Sequence, residues 1–160
     1  LDFSKIESGR ITLHLEPVDV ESVLGDIVHM FKHKGEKDGV IVEYNHPEFI
    51  PEIIADSDRL KQVFINVIDN AIKFTESGNR VKAIMASDDE SVYVKIKDQG
   101  HGISDEDLPK VKDKFFKGTS KKSGSGIGLA VSDEIIKLHG GTFEIESQID
   151  EGTTITISLI

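Results

Sequence analysis

The stretch QVFINVIDNAIKFT, residues 62–75, decides the fold of this chain, and we call it the central helix. Its apolar residues recur at spacings of three and four, which predicts a helix with one broad buried side. Asp56 or Ser57 is the predicted N-cap, and the helix is predicted to end near Gly78. The apolar set is Val63, Phe64, Val67, Ile68, Ala71 and Ile72.

Three polar residues of the central helix share one face. Asn66, Asn70 and Lys73 are spaced four and three residues apart, so they stack along the same side. Asparagine is a poor helix former because its amide competes for backbone hydrogen bonds. Amide oxygens are hard ligands that suit Mg²⁺, and a lysine one turn away suits a phosphate. The alternative is an ordinary polar face, and the helix alone leaves both interpretations open.

Composition limits the class of protein. A length of 160 residues fits one domain with a substantial core, and a first residue Leu1 suggests a piece of a longer chain. The absence of cysteine excludes disulfides, thiolate metal sites and thiol nucleophiles. A formal net charge of −10 argues against binding to nucleic acid or to an anionic membrane. No apolar run is long enough to span a bilayer, and we expect a cytoplasmic location.

The first third of the chain reads as a helix end, a connector and a long helix. Gly9 ends the first helix, and a short strand with its connector follows over residues 11–20. Asp19 is the predicted N-cap of a helix that runs to about Asp38. His29 and His33 have the spacing of metal ligands, but no glutamate stands between them in the zinc-protease arrangement, so we favour a surface pair.

Alternating runs predict the sheet. Short strands are expected at VIVEY and EIIA, and two hairpins at RVKAIMAS with SVYVKIKD and at TFEIESQ with TTITISLI. Helices are expected over residues 105–116 and 127–139, with a loop rich in Lys, Ser and Gly between them. Because hairpins preclude an all-parallel sheet, we predict an α+β fold, a two-layer α/β sandwich with a mixed sheet of about five strands and helices on one face.

Two glycine-bearing motifs accompany the central helix. Asp98-Gln99-Gly100-His101-Gly102 ends a strand, where a fixed carboxylate and close backbone suit a flat polar ligand. Gly124-Ser125-Gly126-Ile127-Gly128 opens a helix, whose N–H groups suit an anion. For the first motif alone, a strand that ends in an ordinary glycine-rich turn is the commoner case, and the second motif alone is weak evidence for an anion site. The second follows no strand of a βαβ unit, so the dinucleotide-binding interpretation fails.

The order of motifs resembles that of sensor histidine kinases. Asn-x-x-x-Asn-Ala-x-Lys-Phe is followed by Asp-x-Gly-x-Gly-Ile, Phe-Phe-Lys, Gly-x-Gly-x-Gly-Leu and Gly-Thr, and LDFSKIESG resembles the end of the kinase dimerisation helix. The chain is thus similar to their catalytic ATP-binding domain, of the gyrase-related ATPase class. The resemblance implies a Bergerat ATP-binding fold, with ATP between the central helix and a lid.

The resemblance also implies roles for individual residues. Asn70 coordinates Mg²⁺ with Asn66 beside it, Lys73 reaches a phosphate, and Asp98 accepts a hydrogen bond from the adenine amine. Phe74 packs on the base or ribose edge. The wider ATP-binding set, with the lid lysines that lie near the phosphates, is Gly100, Gly102, Ile103, Lys117, Lys121, Lys122, Gly124, Gly126, Ile127, Gly128, Leu129 and Thr153.

Two positions depart from the family pattern. Two phenylalanines three apart are usual in the lid, whereas this chain has Lys112 and then Phe115-Phe116-Lys117, which removes the outer apolar anchor. Gln99 stands where Asn is usual.

Asn66 separates the kinases from the gyrase-like and chaperone ATPases, which have a glutamate at this position. An amide cannot act as a general base toward water.

The resulting prediction is the catalytic domain of a protein histidine kinase. Residues 1–16 are the end of the dimerisation helix and a linker, and residues 17–160 are the ATP-binding domain. The implied partners are its own dimerisation and phosphoacceptor domain in a homodimeric parent, and a response regulator. None of the six histidines has an acceptor-like context, so the isolated chain should not phosphorylate itself. A slow gyrase-like ATP switch and a pseudokinase that only binds partners are the alternatives. Membrane anchoring of the parent stays open.

Overall fold

The computed structural model describes residues 12–100, 102, 106 and 128–160. Within these residues lie three helices and seven strands. In chain order they are β1 Glu16–Val18, α1 Val20–Asp38, β2 Ile41–Asn45, β3 Ile53–Ala55, α2 Ser57–Phe74, β4 Arg80–Ser87, β5 Val92–Asp98, α3 Gly128–Leu138, β6 Thr142–Gln148 and β7 Gly152–Leu159.

The main sheet has five strands in the order β2-β4-β5-β7-β6. β2 runs parallel to β4, and every other neighbouring pair is antiparallel. β1 and β3 form a separate antiparallel ribbon, in which Glu16 pairs with Ala55. The predicted mixed sheet of about five strands is therefore confirmed, and the two shortest predicted strands pair with each other outside it.

The sheet alternates between a buried face and an exposed face. On β4, Val81, Ala83 and Met85 are buried, whereas Lys82 between them lies on the other face. α1 contacts β2, α2 contacts β4 and β5, and α3 contacts β6, so the helices cover the buried face. The predicted two-layer sandwich with helices on one face is confirmed.

The ends of α1 follow from local backbone chemistry. Asp19 accepts a hydrogen bond from the Ser22 N–H at 3.2 Å, which satisfies one of the unpaired donors of the first turn. Gly39 ends the helix in the left-handed conformation with φ 74°, and the Val40 N–H then donates to the Gly35 carbonyl at 2.8 Å. Both ends lie where the sequence predicts them.

The central helix is α2, and it ends four residues earlier than Gly78, the predicted end. Asp56 is its N-cap. At the other end the buried Thr75 is extended, with φ −98° and ψ 129°, and its hydroxyl donates to the Ala71 carbonyl at 2.7 Å. This side-chain bond takes the place of a further helical turn. Gly78 lies beyond it in a turn, with φ 94°.

Three other predictions concern residues 105–126, the pair His29 and His33, and membrane-spanning segments. The expected helix over residues 105–116, apart from Glu106, and the loop over residues 117–126 lie outside the described residues. His29 and His33 are exposed on α1, with their rings in edge contact at 5.9 Å between centroids. Among the helices that the structure describes, none has the length and apolar character needed to cross a bilayer.

Candidate functional site

α2 carries the first part of the site. Its apolar side, which includes Phe64, Val67 and Ile68, is fully buried against the core, and this fixes the opposite side of the helix outward. Asn66 and Asn70 are half-buried on that side, one turn apart and therefore about 6 Å along the axis. In the described part of the chain neither side-chain amide takes part in a hydrogen bond. Their oxygens are therefore available as ligands for a hard cation such as Mg²⁺.

Lys73 lies on the same helix but has a protein partner. Its Nζ is 3.0 Å from Oδ2 of Asp69, one turn earlier, and its side chain is 44% exposed. Lys34 of α1 contacts the other oxygen of Asp69 at 2.5 Å. Burial alone would raise the pKa of Asp69, but the hydrogen bonds from the two lysines outweigh it and lower that pKa. Lys73 is thus held beside the two asparagines by a carboxylate that stays ionised.

Asp98 forms the second part of the site, at the end of β5. Its Oδ1 accepts two backbone hydrogen bonds, from the Gly100 N–H at 2.9 Å and from the Thr153 N–H at 3.0 Å. The Thr153 hydroxyl lies 2.8 Å from the Ser147 hydroxyl, which joins β6 to the same cluster. Because two N–H donors converge on one oxygen, backbone hydrogen bonds fix the orientation of the carboxylate.

Close backbone approach brings the two parts together. A Cβ on Gly100 would lie 2.4 Å from the carbonyl oxygen of Phe74, the last residue of α2, so only glycine fits there. Gly102 has φ 75°, and a Cβ on it would lie 2.0 Å from the Gln148 carbonyl oxygen. The glycines of the Asp98 motif therefore pack the end of β5 against the C-terminus of α2 and against the end of β6.

The start of α3 forms the third part. In the described residues the helix runs from Gly128, and no acidic residue lies in the first turn of this part, so this end of the helix favours an anion. Leu129, half-buried, packs against the core and anchors this end. Several predicted contact residues lie outside the described residues: Ile103, Lys117, Lys121, Lys122, Gly124, Gly126 and Ile127.

Asp56 holds the N-terminus of α2 in place. It is buried, and its carboxylate accepts hydrogen bonds from the His14 N–H at 3.0 Å and the Arg59 N–H at 3.2 Å. Its own N–H donates to Nε2 of His139, whose Nδ1 lies 2.8 Å from the Ile135 carbonyl. This junction links the N-terminus of α2 to the C-terminal end of α3. Burial raises the pKa of Asp56, but the two N–H bonds outweigh that effect and lower it.

Sequence reasoning missed four partners in this site. Asp69 was detectable, because it lies four residues before Lys73, which is the spacing of a helical ion pair. Lys34, His139 and Ser147 carried no such signal, because each contacts a residue that is remote in the chain or on another strand. The predicted residues Asn66, Asn70, Lys73, Asp98 and Thr153 lie on or beside elements that pack together.

Comparison with known proteins agrees with this geometry. Residues 55–160 match the family model described as histidine kinase-, DNA gyrase B-, and HSP90-like ATPase. The non-motile and phage-resistance protein of Caulobacter vibrioides (strain ATCC 19089 / CIP 103742 / CB 15) is 36% identical over 99% of this chain and 20% of its own length. Sporulation kinase A of Bacillus subtilis (strain 168) is 32% identical over 89% of this chain and 23% of its own length. The chain therefore spans about a fifth of these relatives.

Solved structures agree in fold. The mycobacterial sensor histidine kinase MprB is 29% identical, with a TM-score of 0.78 over 91% of this chain and 96% of that chain. Full-length ShkA in complex with AMPPNP is 25% identical, with a TM-score of 0.86 over 98% of this chain and 33% of that chain. The chain belongs to the family of histidine kinase-, DNA gyrase B- and HSP90-like ATPases, and it is a catalytic ATP-binding domain of the sensor histidine kinase type.

Proposed function

We propose that this chain binds Mg-ATP and transfers the γ-phosphoryl group to a histidine on a dimerisation domain that precedes it in a parent kinase. One observation supports this above all. The backbone-fixed carboxylate of Asp98 packs, through Gly100, against the end of the helix that carries two half-buried asparagines. An acceptor for a base amine and ligands for a hard cation therefore lie on adjoining elements.

Each part of the site has a separate task in this proposal. Asp98 accepts a hydrogen bond from the adenine amine, and Thr153 helps to hold the base beside it. Asn70, with Asn66 beside it, holds Mg²⁺, which when bound neutralises charge on the phosphates. Lys73 and the N–H groups at the start of α3 add positive potential for the phosphates.

Asn66 makes transfer to a protein more favourable than hydrolysis. Abstracting a proton from water needs a general base, and an amide has no such capacity at neutral pH. Phosphoryl transfer depends mostly on positioning and charge stabilisation, which the described residues supply without a nucleophile. The nucleophile must then come from elsewhere, and a histidine of the upstream domain fits this requirement.

The remaining parts of the proposal concern the parent protein. Residues 1–16 end the dimerisation helix and form the linker, and residues 17–160 form the catalytic domain. The parent is a homodimer that passes its phosphoryl group to a response regulator. Glu16 pairs with Ala55 in the β1–β3 ribbon, and the His14 N–H donates to Asp56; these contacts support a linker that joins the domain beside the N-terminus of α2.

A two-component labelling reaction tests the proposal. The chain is incubated with ATP labelled at the γ-phosphate, alone and with the dimerisation domain of the parent added in trans. We expect label only in the mixture, on the added domain, and we expect acid to remove it, because a phosphoramidate is acid-labile. Asn70→Ala is the negative control, because it lacks the proposed side-chain ligand of Mg²⁺.

Two results would contradict the proposal. Rapid ATP hydrolysis by the chain alone would favour a gyrase-like switch. An acid-stable label on a serine of an added protein would point to a serine kinase of the anti-sigma type.

A further inference from the structure

Asp69 occupies a central place among the polar residues of α2. It lies three residues after Asn66, directly before Asn70 and four residues before Lys73. Each of its carboxylate oxygens contacts a different lysine: Oδ1 contacts Lys34 at 2.5 Å, and Oδ2 contacts Lys73 at 3.0 Å. One negative charge is therefore shared between one lysine of the site and one lysine of the neighbouring helix α1.

The three side chains differ in their contact with water. The side chain of Asp69 is only 23% exposed, whereas those of Lys34 and Lys73 are 48% and 44% exposed. A carboxylate that is mostly buried loses stability if it is left without a cation, because burial disfavours its charged form. A half-exposed lysine can leave it at small cost, since its long side chain reorients in water.

Lys34 changes what it costs to move Lys73. If Lys73 turns away from Asp69, the carboxylate still contacts Lys34 through its other oxygen. If Lys34 were absent, the same movement would leave Asp69 with no cation among its described contacts. Lys34 thus lowers the free-energy cost of moving Lys73 away from Asp69.

We propose that Asp69 and Lys34 are positioning residues that store Lys73 beside the site and release it to the nucleotide phosphates. Asp69 holds Lys73 against α2 in the absence of nucleotide. When a phosphate is bound, Lys73 turns to it and Lys34 alone neutralises Asp69. This inference deepens the proposed function and rests on it, because it requires that a phosphate binds within reach of Lys73.

The test compares affinities for two ligands that share the nucleoside and differ in the triphosphate with its Mg²⁺. Calorimetric titration measures the dissociation constants of Mg-ATP and of adenosine for the chain and for Lys34→Met, which keeps the apolar stem and removes the charge. We expect Mg-ATP to bind about two- to fivefold more weakly to this variant, the size of one exposed ion pair. Adenosine should bind equally well, because it has no phosphate for Lys73 to contact.

A double-mutant cycle distinguishes an effect of Lys34 that acts through Lys73 from a direct effect of Lys34 on the nucleotide. In a Lys73→Met background, Lys34→Met should have no further effect on Mg-ATP affinity, because there is no lysine left to release. Lys34→Arg should retain the affinity of the original chain. Lys95→Met is the matched control: it removes the same charge from an exposed lysine of β5, and it should leave Mg-ATP affinity unchanged. Thermal melting of every variant checks that α1 still packs on α2.

The outcomes distinguish this inference from the proposed function. If the original chain binds Mg-ATP but Lys34→Met binds it equally well, the release mechanism is wrong and the proposed function stands. A loss that persists in the Lys73→Met background would also overturn the mechanism, since Lys34 would then act on its own. If the original chain does not bind Mg-ATP at all, the proposed function fails and this inference fails with it.

Discussion

Replacing Asp98 with asparagine removes one charge from the site while it preserves the shape of the side chain. The oxygen that accepts the Gly100 and Thr153 N–H groups must remain an acceptor, so the introduced asparagine has to place its carbonyl oxygen there. Its NH₂ group then takes the position of Oδ2. An acceptor at that position becomes a donor, whereas the backbone hydrogen bonds of the motif are retained.

The expected loss follows from the proposed hydrogen bond between Asp98 and the adenine amine. A hydrogen bond to a charged group contributes about 1.5–3 kcal/mol, so the affinity for ATP should fall by roughly ten- to a hundredfold. Guanine carries a carbonyl where adenine carries its amine, and the NH₂ group of the introduced asparagine would donate to that carbonyl. The preference of Asp98→Asn for ATP over GTP should therefore shrink or reverse.

The assay is calorimetric titration with both nucleotides, with urea unfolding to show that the fold is kept. Asp88→Asn is the matched control, because the Asp88 carboxylate also accepts backbone hydrogen bonds, from the Glu90 and Ser91 N–H groups, in the turn between β4 and β5. This turn lies at the opposite end of β5 from Asp98. The reasoning is refuted if Asp98→Asn is folded and keeps the original ratio of ATP to GTP affinity.

Two further predictions concern the packing around the site. Gly100→Ala places a methyl group 2.4 Å from the Phe74 carbonyl oxygen, so we expect a loss of about 1–3 kcal/mol in the free energy of unfolding and weaker ATP binding. Gly25→Ala in α1 places a methyl group 3.3 Å from Oε1 of Glu21 and 3.6 Å from the ring of Tyr44, and no backbone atom lies that close. A small shift of the Glu21 carboxylate accommodates the methyl group, so this variant should stabilise by about 0.5–1 kcal/mol, and equal urea midpoints for both variants would contradict this account. The pKa of Asp56 is lowered in the folded chain, so its charge stabilises the fold above the unfolded pKa of about 3.9, and this contribution is lost as the pH falls through the folded pKa. Asp56→Asn keeps an N-cap side chain but removes the charge. Its free energy of unfolding in urea should lie below that of the original chain at pH 7, and the difference should shrink toward pH 3. A difference that does not change with pH would show that the charge is unimportant.

The sequence predicts those features that depend on residues close together in the chain. The apolar spacing of α2, the N-cap Asp19 and the alternation of β4 and β5 are local patterns, and the structure confirms each of them. The end of α2 was less predictable, because Thr75 ends the helix through its own hydroxyl while Gly78 carries the more familiar signal.

Contacts between remote residues could not be predicted in this way. Thr153 donates to Asp98 across 55 positions, and Lys34 contacts Asp69 across 35. Asp56 donates to His139 across 83 positions. Such contacts depend on the order of strands and the packing of helices, which local periodicity does not encode. The proposed roles of single residues in nucleotide binding therefore rest mainly on the resemblance, while the contact of Lys34 with Asp69 required the structure.

The most direct test of the central claim is a calorimetric titration of ATP into this chain, once with Mg²⁺ and once with a chelator. The claim is that the side-chain amide oxygen of Asn70 on α2 coordinates the Mg²⁺ ion that binds the phosphates of ATP. It predicts that ATP binds more tightly with Mg²⁺ than without it, and that Asn70→Ala binds with the same weak affinity in both conditions. If Asn70→Ala binds Mg-ATP as tightly as the original chain, or if Mg²⁺ has no effect on the original chain, the account of α2 as the cation-binding helix is contradicted.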